Sequence, residues 1–451
     1  MTSEGSRPQR RRGAAWSDGP GAAVVLGYGR EGLPLRLPEA VDVLRGQDIP
    51  ALPAPLAAVE EALARPIGCA PLAALLRERA PRTVAIAVSD STRPVPNRDL
   101  LPPLLACLQA SGVPASGVVI VIGTGMHRPS TPAERLQMLG AEILDRVEVI
   151  DHRADAAETL ACVSASPPIR VCRRFVEADF RIVTGLIEPH FMAGFSGGRK
   201  GVCPALVDLA TVQRFHGFET LADPRAGNGV LAGNPCHELA LAVARRVGVD
   251  FIVNAAISRD QRLAGVFAGD LELAHEAGCR RVGGWSEVRL DHDYDLVIGS
   301  GGGEPLDRTF YQAVKGMCAA LPAVRPDGLL LVASRCAEGL GSPAYCDLLL
   351  TYGRDWRRFL REAAARRHET RLDQWELQMQ TRVLERIGPE RLLLASDGIP
   401  AELVLRLAAT PVPGVGTAAE RTQAFLERFL ASRPHARVAV MPEGPYSLLL
   451  R

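Results

Sequence analysis

Short β-branched runs alternate with longer amphipathic segments along most of this chain, and the strand-like runs end in loops carrying Gly, Ser, Asp or His. That alternation restricts the fold to an α/β architecture with largely parallel sheets. The pattern predicts strands over 83–88, 117–123 and 180–187, with helices over 99–111 and 131–146. The second helix opens Thr131-Pro132-Ala133-Glu134, which combines an N-cap threonine, a proline at the first helical position and an acidic first turn. A second unit begins near Asp291. A strand over 295–298 runs into Gly299-Ser300-Gly301-Gly302-Gly303, and a helix follows from about Thr309. Further strands are expected at 328–333, 391–395 and 437–441, between helices at 356–367, 372–387 and 418–431. The expected division is a disordered tail over 1–22, a cofactor-binding α/β domain over 23–282 and a second α/β domain over 283–451, whose last strand can pack back on the first. The active site then falls in the cleft between the domains.

Composition narrows the function class. Hydrophobic residues make up 47% and charged residues 23%, as in an ordinary globular enzyme. Lys+Arg total 52 against Asp+Glu 51, a net charge of +1, which gives no global attraction for nucleic acid or an anionic membrane. No segment approaches the ~20 apolar residues of a membrane span, and residues 1–22 lack the apolar run of an export signal, so a cytoplasmic location is expected. Ten cysteines without a C-x-x-C pair point to reduced thiols and away from a zinc ribbon or dithiol motif.

In open α/β sheets ligands sit beyond the carboxyl ends of strands, and three such loops carry reactive residues. The first is Asp90-Ser91-Thr92-Arg93-Pro94, whose arginine suits a carboxylate or phosphate, or simply an Asp–Arg pair within a turn. Gly125-Met126-His127-Arg128-Pro129 offers His127 as an acid, a base or a hydrogen-bonded structural residue. The run from Glu188 to Lys200 packs His190, a glycine turn (Gly194, Gly197, Gly198), Arg199 and Lys200 into thirteen residues. Neither the P-loop spacing nor a G-x-G-x-x-G fingerprint is present there, but backbone N–H groups with two cations suit an anionic ligand. His216 follows Lys200 by sixteen residues, and Tyr311, Gln312 and Lys315 share a face of the helix after the glycine loop. The remaining histidines (His152, His237, His275, His292, His368 and His435) have no supporting neighbours and are read as structural or exposed.

Taken as an ordered set, these motifs resemble the lactate racemase family, enzymes that use a nickel-pincer nucleotide. Asp90–Pro94, Gly125–Pro129, Glu188–Lys200, His216 and Tyr311-Gln312-x-x-Lys315 carry the resemblance, with a looser match at Trp375. It implies racemisation or epimerisation of a 2-hydroxy carboxylic acid, lactate or a relative, by reversible hydride transfer. The implied cofactor is pyridinium-3-thioamide-5-thiocarboxylic acid mononucleotide with bound nickel, tethered covalently through Lys200 and ligated by His216. Arg199, Gly198, Gly197 and Thr92 are implied in cofactor binding, His127 and His190 as the acid–base pair, and Asp90, Arg93, Tyr311, Gln312, Lys315 and Trp375 in the substrate pocket. Partners would be the small-molecule substrate and the enzymes that build the cofactor and insert nickel. Two other readings of the residues stand beside this one: a zinc-dependent hydrolase using His127, His190 and His216, or a catalytically silent homologue that binds a nucleotide or hydroxy acid.

Overall fold

The computed structural model describes residues 23–451, so the expected N-terminal tail lies outside the described residues. Two six-stranded sheets organise the chain. The first has the order Leu263–Gly269, Phe251–Ile257, Phe180–Leu186, Val84–Ser89, Val118–Gly123, Glu148–Asp151, and is parallel except for its first edge strand. The second runs Thr410–Pro411, Leu392–Ala395, Val324–Ala333, Tyr294–Ser300, Val438–Met441, Val41–Val43, and is parallel throughout. Strands such as Val84–Ser89 and Val118–Gly123 are buried along nearly their whole length. They read as continuous apolar runs because helices cover both faces of a parallel sheet.

Most expected elements form, with instructive departures. Thr131 and Glu134 make the reciprocal capping box that their spacing predicts, but the helix over 131–146 is two helices. Pro132–Leu139 and Ala141–Arg146 are separated at Gly140, whose φ of +84° no helix accommodates. Residues 23–43, expected in the first domain, build onto the second sheet. Val41–Val43 pairs with Val438–Met441, and the hairpin Ala23–Leu26/Leu33–Arg36 packs its buried face with Leu296, Ile298 and Leu426. Three-residue strands carry too little pattern for their sheet partner to be read from sequence. At the other end Leu448–Leu450 pairs with Glu287–Arg289, and Leu448 shares an apolar cluster with Ile187, Phe195 and Val282.

Within the first sheet Phe180–Leu186, Val84–Ser89 and Val118–Gly123 are neighbours and parallel, so the three loops beyond their carboxyl ends lie side by side. Facing them, helices Phe310–Ala320 and Gln374–Ile387 of the second unit pack against each other. Gly316 lets the first of these sit close on its sheet, since a Cβ there would meet the Ser300 carbonyl oxygen at 2.3 Å. One apolar core containing Val183, Phe215, Phe310, Val332 and Trp375 continues from one unit into the other. Among the described residues no helix is long and apolar enough to cross a membrane. All ten cysteines are free thiols.

Candidate active site

A single cavity gathers Asp90, Thr92, Arg93, His127, His190, Gly197, Lys200 and His216 from the first unit with Tyr311, Gln312, Lys315 and Trp375 from the second. Each is placed by a local device. Asp90 ends its strand and turns the chain, its backbone carbonyl accepting from Arg93 N–H at 3.2 Å. Its Oδ1 accepts from Thr92 Oγ1 at 2.6 Å, and its Oδ2 accepts from His127 Nδ1–H at 2.6 Å. Burial raises the Asp90 carboxyl, but the hydrogen bonds from His127 and Thr92 and the charge of Arg93 more than offset it and hold it below the usual range. The carboxylate thus fixes the His127 tautomer and leaves Nε2 with its lone pair.

His190 sits in the two-residue strand Pro189–His190, which pairs antiparallel with Gly194–Phe195. Its Nδ1 accepts from the backbone N–H groups of Met192 and Ala193, both at 3.2 Å. Burial, then the neighbouring basic groups of Lys200, Lys315 and Arg93, push its pKa well below the ordinary value, so the ring is neutral. Lys200 lies in the one-turn segment Gly198–Gly201. Gly197, at φ +78°, is the pivot: a Cβ there would lie 2.9 Å from both Asn254 Oδ1 and Ile187. Burial and the neighbouring Arg93, Arg199 and Lys315 hold the Lys200 amine well below the usual lysine range, which favours its uncharged, nucleophilic form.

His216 caps the helix Leu209–Phe215 and donates Nδ1–H to the Val212 carbonyl at 2.9 Å. Its Nε2 lone pair is therefore free, and burial lowers the ring's pKa to about 3, so it is a neutral ligand in waiting. Trp375 stacks on the same ring and donates its indole N–H to Tyr311 Oη at 2.6 Å. Arg93 Nε stands 3.9 Å from Glu188, a buried carboxyl whose pKa burial raises.

Two expected binding residues do not face the cavity. Arg199 is 1% exposed and turned into the protein, where its guanidinium donates to the carbonyls of Ala193 at 2.7 Å and Phe195 at 2.9 Å. Gly198 packs on His275, and its N–H donates to Asn254 Oδ1. Both shape the loop that presents Lys200. Neither lines the cavity, and the Arg199 guanidinium is taken up by buried carbonyls that need a donor.

One lining residue escaped the sequence reading. Glu376 is 1% exposed, lines the cavity, and its Oε1 has no hydrogen-bond partner. Burial pushes its carboxyl up and the nearby Lys315 amine down. A compositional signal was also available: of the 52 Lys+Arg residues only Lys200 and Lys315 are lysines, and both line this cavity. A chain that uses arginine everywhere else keeps an amine only where a group able to lose its proton is wanted. None of the other six histidines lines the cavity. Among the described residues no three His, Cys, Asp or Glu side chains converge to hold a metal ion, which removes the geometric basis for a three-histidine zinc centre.

Comparison with known proteins identifies the family. The family profile of the lactate racemase N-terminal domain matches residues 28–229, and that of the lactate racemase C-terminal domain matches residues 290–448. The chain belongs to the lactate racemase family. It is an enzyme of the isomerase class. It is 32% identical to the lactate racemase of Thermoanaerobacterium thermosaccharolyticum over 86% of this chain and 88% of that protein. Identity to the lactate racemase of Lactiplantibacillus plantarum is 33%, over 86% and 89%. The solved lactate racemase apoprotein from T. thermosaccharolyticum superposes with a TM-score of 0.84 at 30% identity, covering 95% of this chain and 100% of that one. A Thermotoga maritima protein, 18% identical with a TM-score of 0.68, shares the fold.

Proposed function

We propose that the chain racemises or epimerises a 2-hydroxy carboxylic acid, lactate being the first candidate. Its cofactor would be a nickel-pincer nucleotide tethered to Lys200. The observation that carries this reading is the meeting, in one cavity, of two imidazoles, two cations and a low-pKa amine sixteen residues before a free imidazole nitrogen. The residues fit such a group: Lys200 supplies an uncharged amine for attachment, and His216 supplies one neutral nitrogen with its tautomer already fixed. When bound, the group supplies a reversible acceptor for the substrate's α-hydrogen as hydride. Removal of that hydrogen leaves a planar 2-oxo acid between the two configurations.

The chain's own residues do the rest. Arg93 and Lys315 hold the carboxylate; both are buried or half-buried, where charge–charge attraction is little screened. His127 takes the hydroxyl proton at Nε2, and Asp90 stabilises the resulting imidazolium. His190 and Gln312 offer polar atoms to the substrate oxygen, and Trp375 with Tyr311 closes the apolar wall. The three-histidine hydrolase reading leaves Lys200 and Lys315 idle, and the silent-homologue reading leaves the acid–base pair idle.

The test is production of the full chain together with nickel and the cofactor-building enzymes, followed by intact-mass analysis and chiral chromatography of lactate. A sulfur-containing nucleotide adduct on the Lys200 peptide, with interconversion of the enantiomers, is expected. An active chain with a bare Lys200 would overturn the tether.

A further inference from the structure

The backbone N–H groups of Met192 and Ala193 both point at one ring atom of His190, its Nδ1. All three residues are buried, His190 at 8%, Met192 at 1% and Ala193 at 0% exposure. Neither N–H has another acceptor among the backbone and side-chain hydrogen bonds of the described residues. Buried backbone N–H groups are almost always paired. The ring atom facing them must therefore carry a lone pair. A protonated Nδ1 would strand both donors and set three N–H groups against one another. Turning the ring over would place a carbon there and strand them equally. The ring proton is thus confined to Nε2, and the doubly protonated ring is opposed from the same side. The basic side chains of Lys200, Lys315, Arg93 and Arg199 around the ring also disfavour a positive charge on it.

His127 is held the other way. Its Nδ1–H is committed to Asp90, so in the neutral ring the lone pair lies on Nε2. We infer that the two histidines are fixed in opposite tautomers, so that the resting site holds one base, His127, and one neutral N–H donor, His190. The inference deepens the racemase reading and rests on it for its kinetic meaning, but not for the tautomers themselves.

A substrate whose hydroxyl lies against His127 meets an acceptor and gives up its proton at once. The mirror configuration, with its hydroxyl against His190, meets a donor. It is bound through Nε2–H, and its proton can be accepted only after that one has left. In the completing half of the first case the carbonyl oxygen of the oxo acid faces His190 Nε2–H, which hydrogen-bonds it and, as hydride returns to carbon and the oxygen becomes an alkoxide, transfers its proton to it and is left as an imidazolate. The Nδ1 acceptor site, with its two amide donors and the surrounding basic side chains, stabilises the electron pair left on the ring. The proton gained by His127 balances the one given by His190, and its return from one ring to the other resets the site. Because the racemisation equilibrium constant is one, kcat/KM must be equal in the two directions. The asymmetry therefore appears as a matched difference in kcat and KM between enantiomers.

The tautomers are read from ring-nitrogen NMR of the full chain labelled with 15N-histidine, with neither cofactor nor substrate added. Signals that vanish in His190→Gln, or in His190→Phe should the first variant not fold, are assigned to His190. They are expected to show a neutral ring protonated on Nε2, unchanged from about pH 5.5 to about pH 8.5, across the range where a free histidine titrates. Signals lost in His127→Gln are expected to show the proton on Nδ1. A His190 ring protonated on Nδ1, or one that becomes doubly protonated near the ordinary histidine pKa, would overturn the inference and leave the racemase reading standing.

Discussion

The indole of Trp375 lies against the imidazole of His216, ring centroids 4.5 Å apart and planes inclined by 22°. A side chain of the second unit thereby clamps the proposed metal ligand of the first, while the Val212 carbonyl holds the other edge of the ring. Stacking of this kind is worth about 0.5–1.5 kcal/mol beyond area burial. His216→Ala is expected to abolish nickel retention while the nucleotide mass stays on Lys200. Trp375→Ala is expected to weaken nickel retention about tenfold. Elemental analysis beside intact-mass analysis separates the two effects, and equal nickel content in His216→Ala and the parent would contradict the ligand assignment.

Arg199 and Arg93 are both cations near Lys200, yet they have different work. Arg199→Ala would leave the buried carbonyl of Phe195 without its donor, at about 1–3 kcal/mol, and take one of two donors from that of Ala193. Thermal unfolding should show a large loss of stability. Arg93→Ala strands no buried carbonyl and should lower the unfolding midpoint less than Arg199→Ala, and raise KM for the carboxylate substrate at least tenfold. The reverse pattern would place Arg199 in the binding site.

Glu376 supplies a pH dependence. Burial raises its carboxyl, so near neutral pH it is substantially protonated and Lys315 is available to the substrate. As pH rises the carboxyl ionises and competes with the substrate carboxylate for the same amine, and that amine, lowered by burial, loses its own charge over the same range. KM is expected to climb on the alkaline side by up to about tenfold per pH unit. In Glu376→Gln, which mimics the protonated form, that climb should become shallower but persist, the remainder being loss of the Lys315 charge. A KM profile identical in parent and variant would show that Glu376 does not face the substrate.

Acid stability follows from the buried imidazoles. Burial depresses the pKa of His152 to about 4 and that of His216 to about 3, and it also lowers His275. In the unfolded chain these rings take up protons below about pH 6.5, whereas the folded chain does not until far lower pH. Their stabilising contribution is complete above pH 6.5 and declines as pH falls toward the folded values. Differential scanning calorimetry should record a falling unfolding temperature between about pH 6.5 and about pH 4, and replacement of His152 by Gln should reduce the slope.

The strand-end loops were legible because a β/α alternation with reactive residues after each strand leaves few arrangements, and the sheet order makes three of those loops neighbours. Tyr311, Gln312 and Lys315 share one face of a helix, which alone reads as ordinary surface, and it was the resemblance to the lactate racemase family that singled them out. What stayed hidden depended on tertiary direction. Arg199 and Lys200 are adjacent in sequence, yet one side chain turns inward to backbone carbonyls and the other to the cavity. Glu376 reads as an ordinary helix acid until Gln374–Ile387 is seen to be buried along most of its length. Residues 41–43 are too few to reveal that they complete the distant sheet.

The most direct test is the fate of the α-hydrogen. The matured full chain would be given L-lactate deuterated at C2 in ordinary water, and both enantiomers recovered after partial conversion. Hydride removed and returned within a closed site should leave the deuterium in D-lactate. Its replacement by solvent hydrogen during conversion would mean proton abstraction from carbon, and would contradict the account.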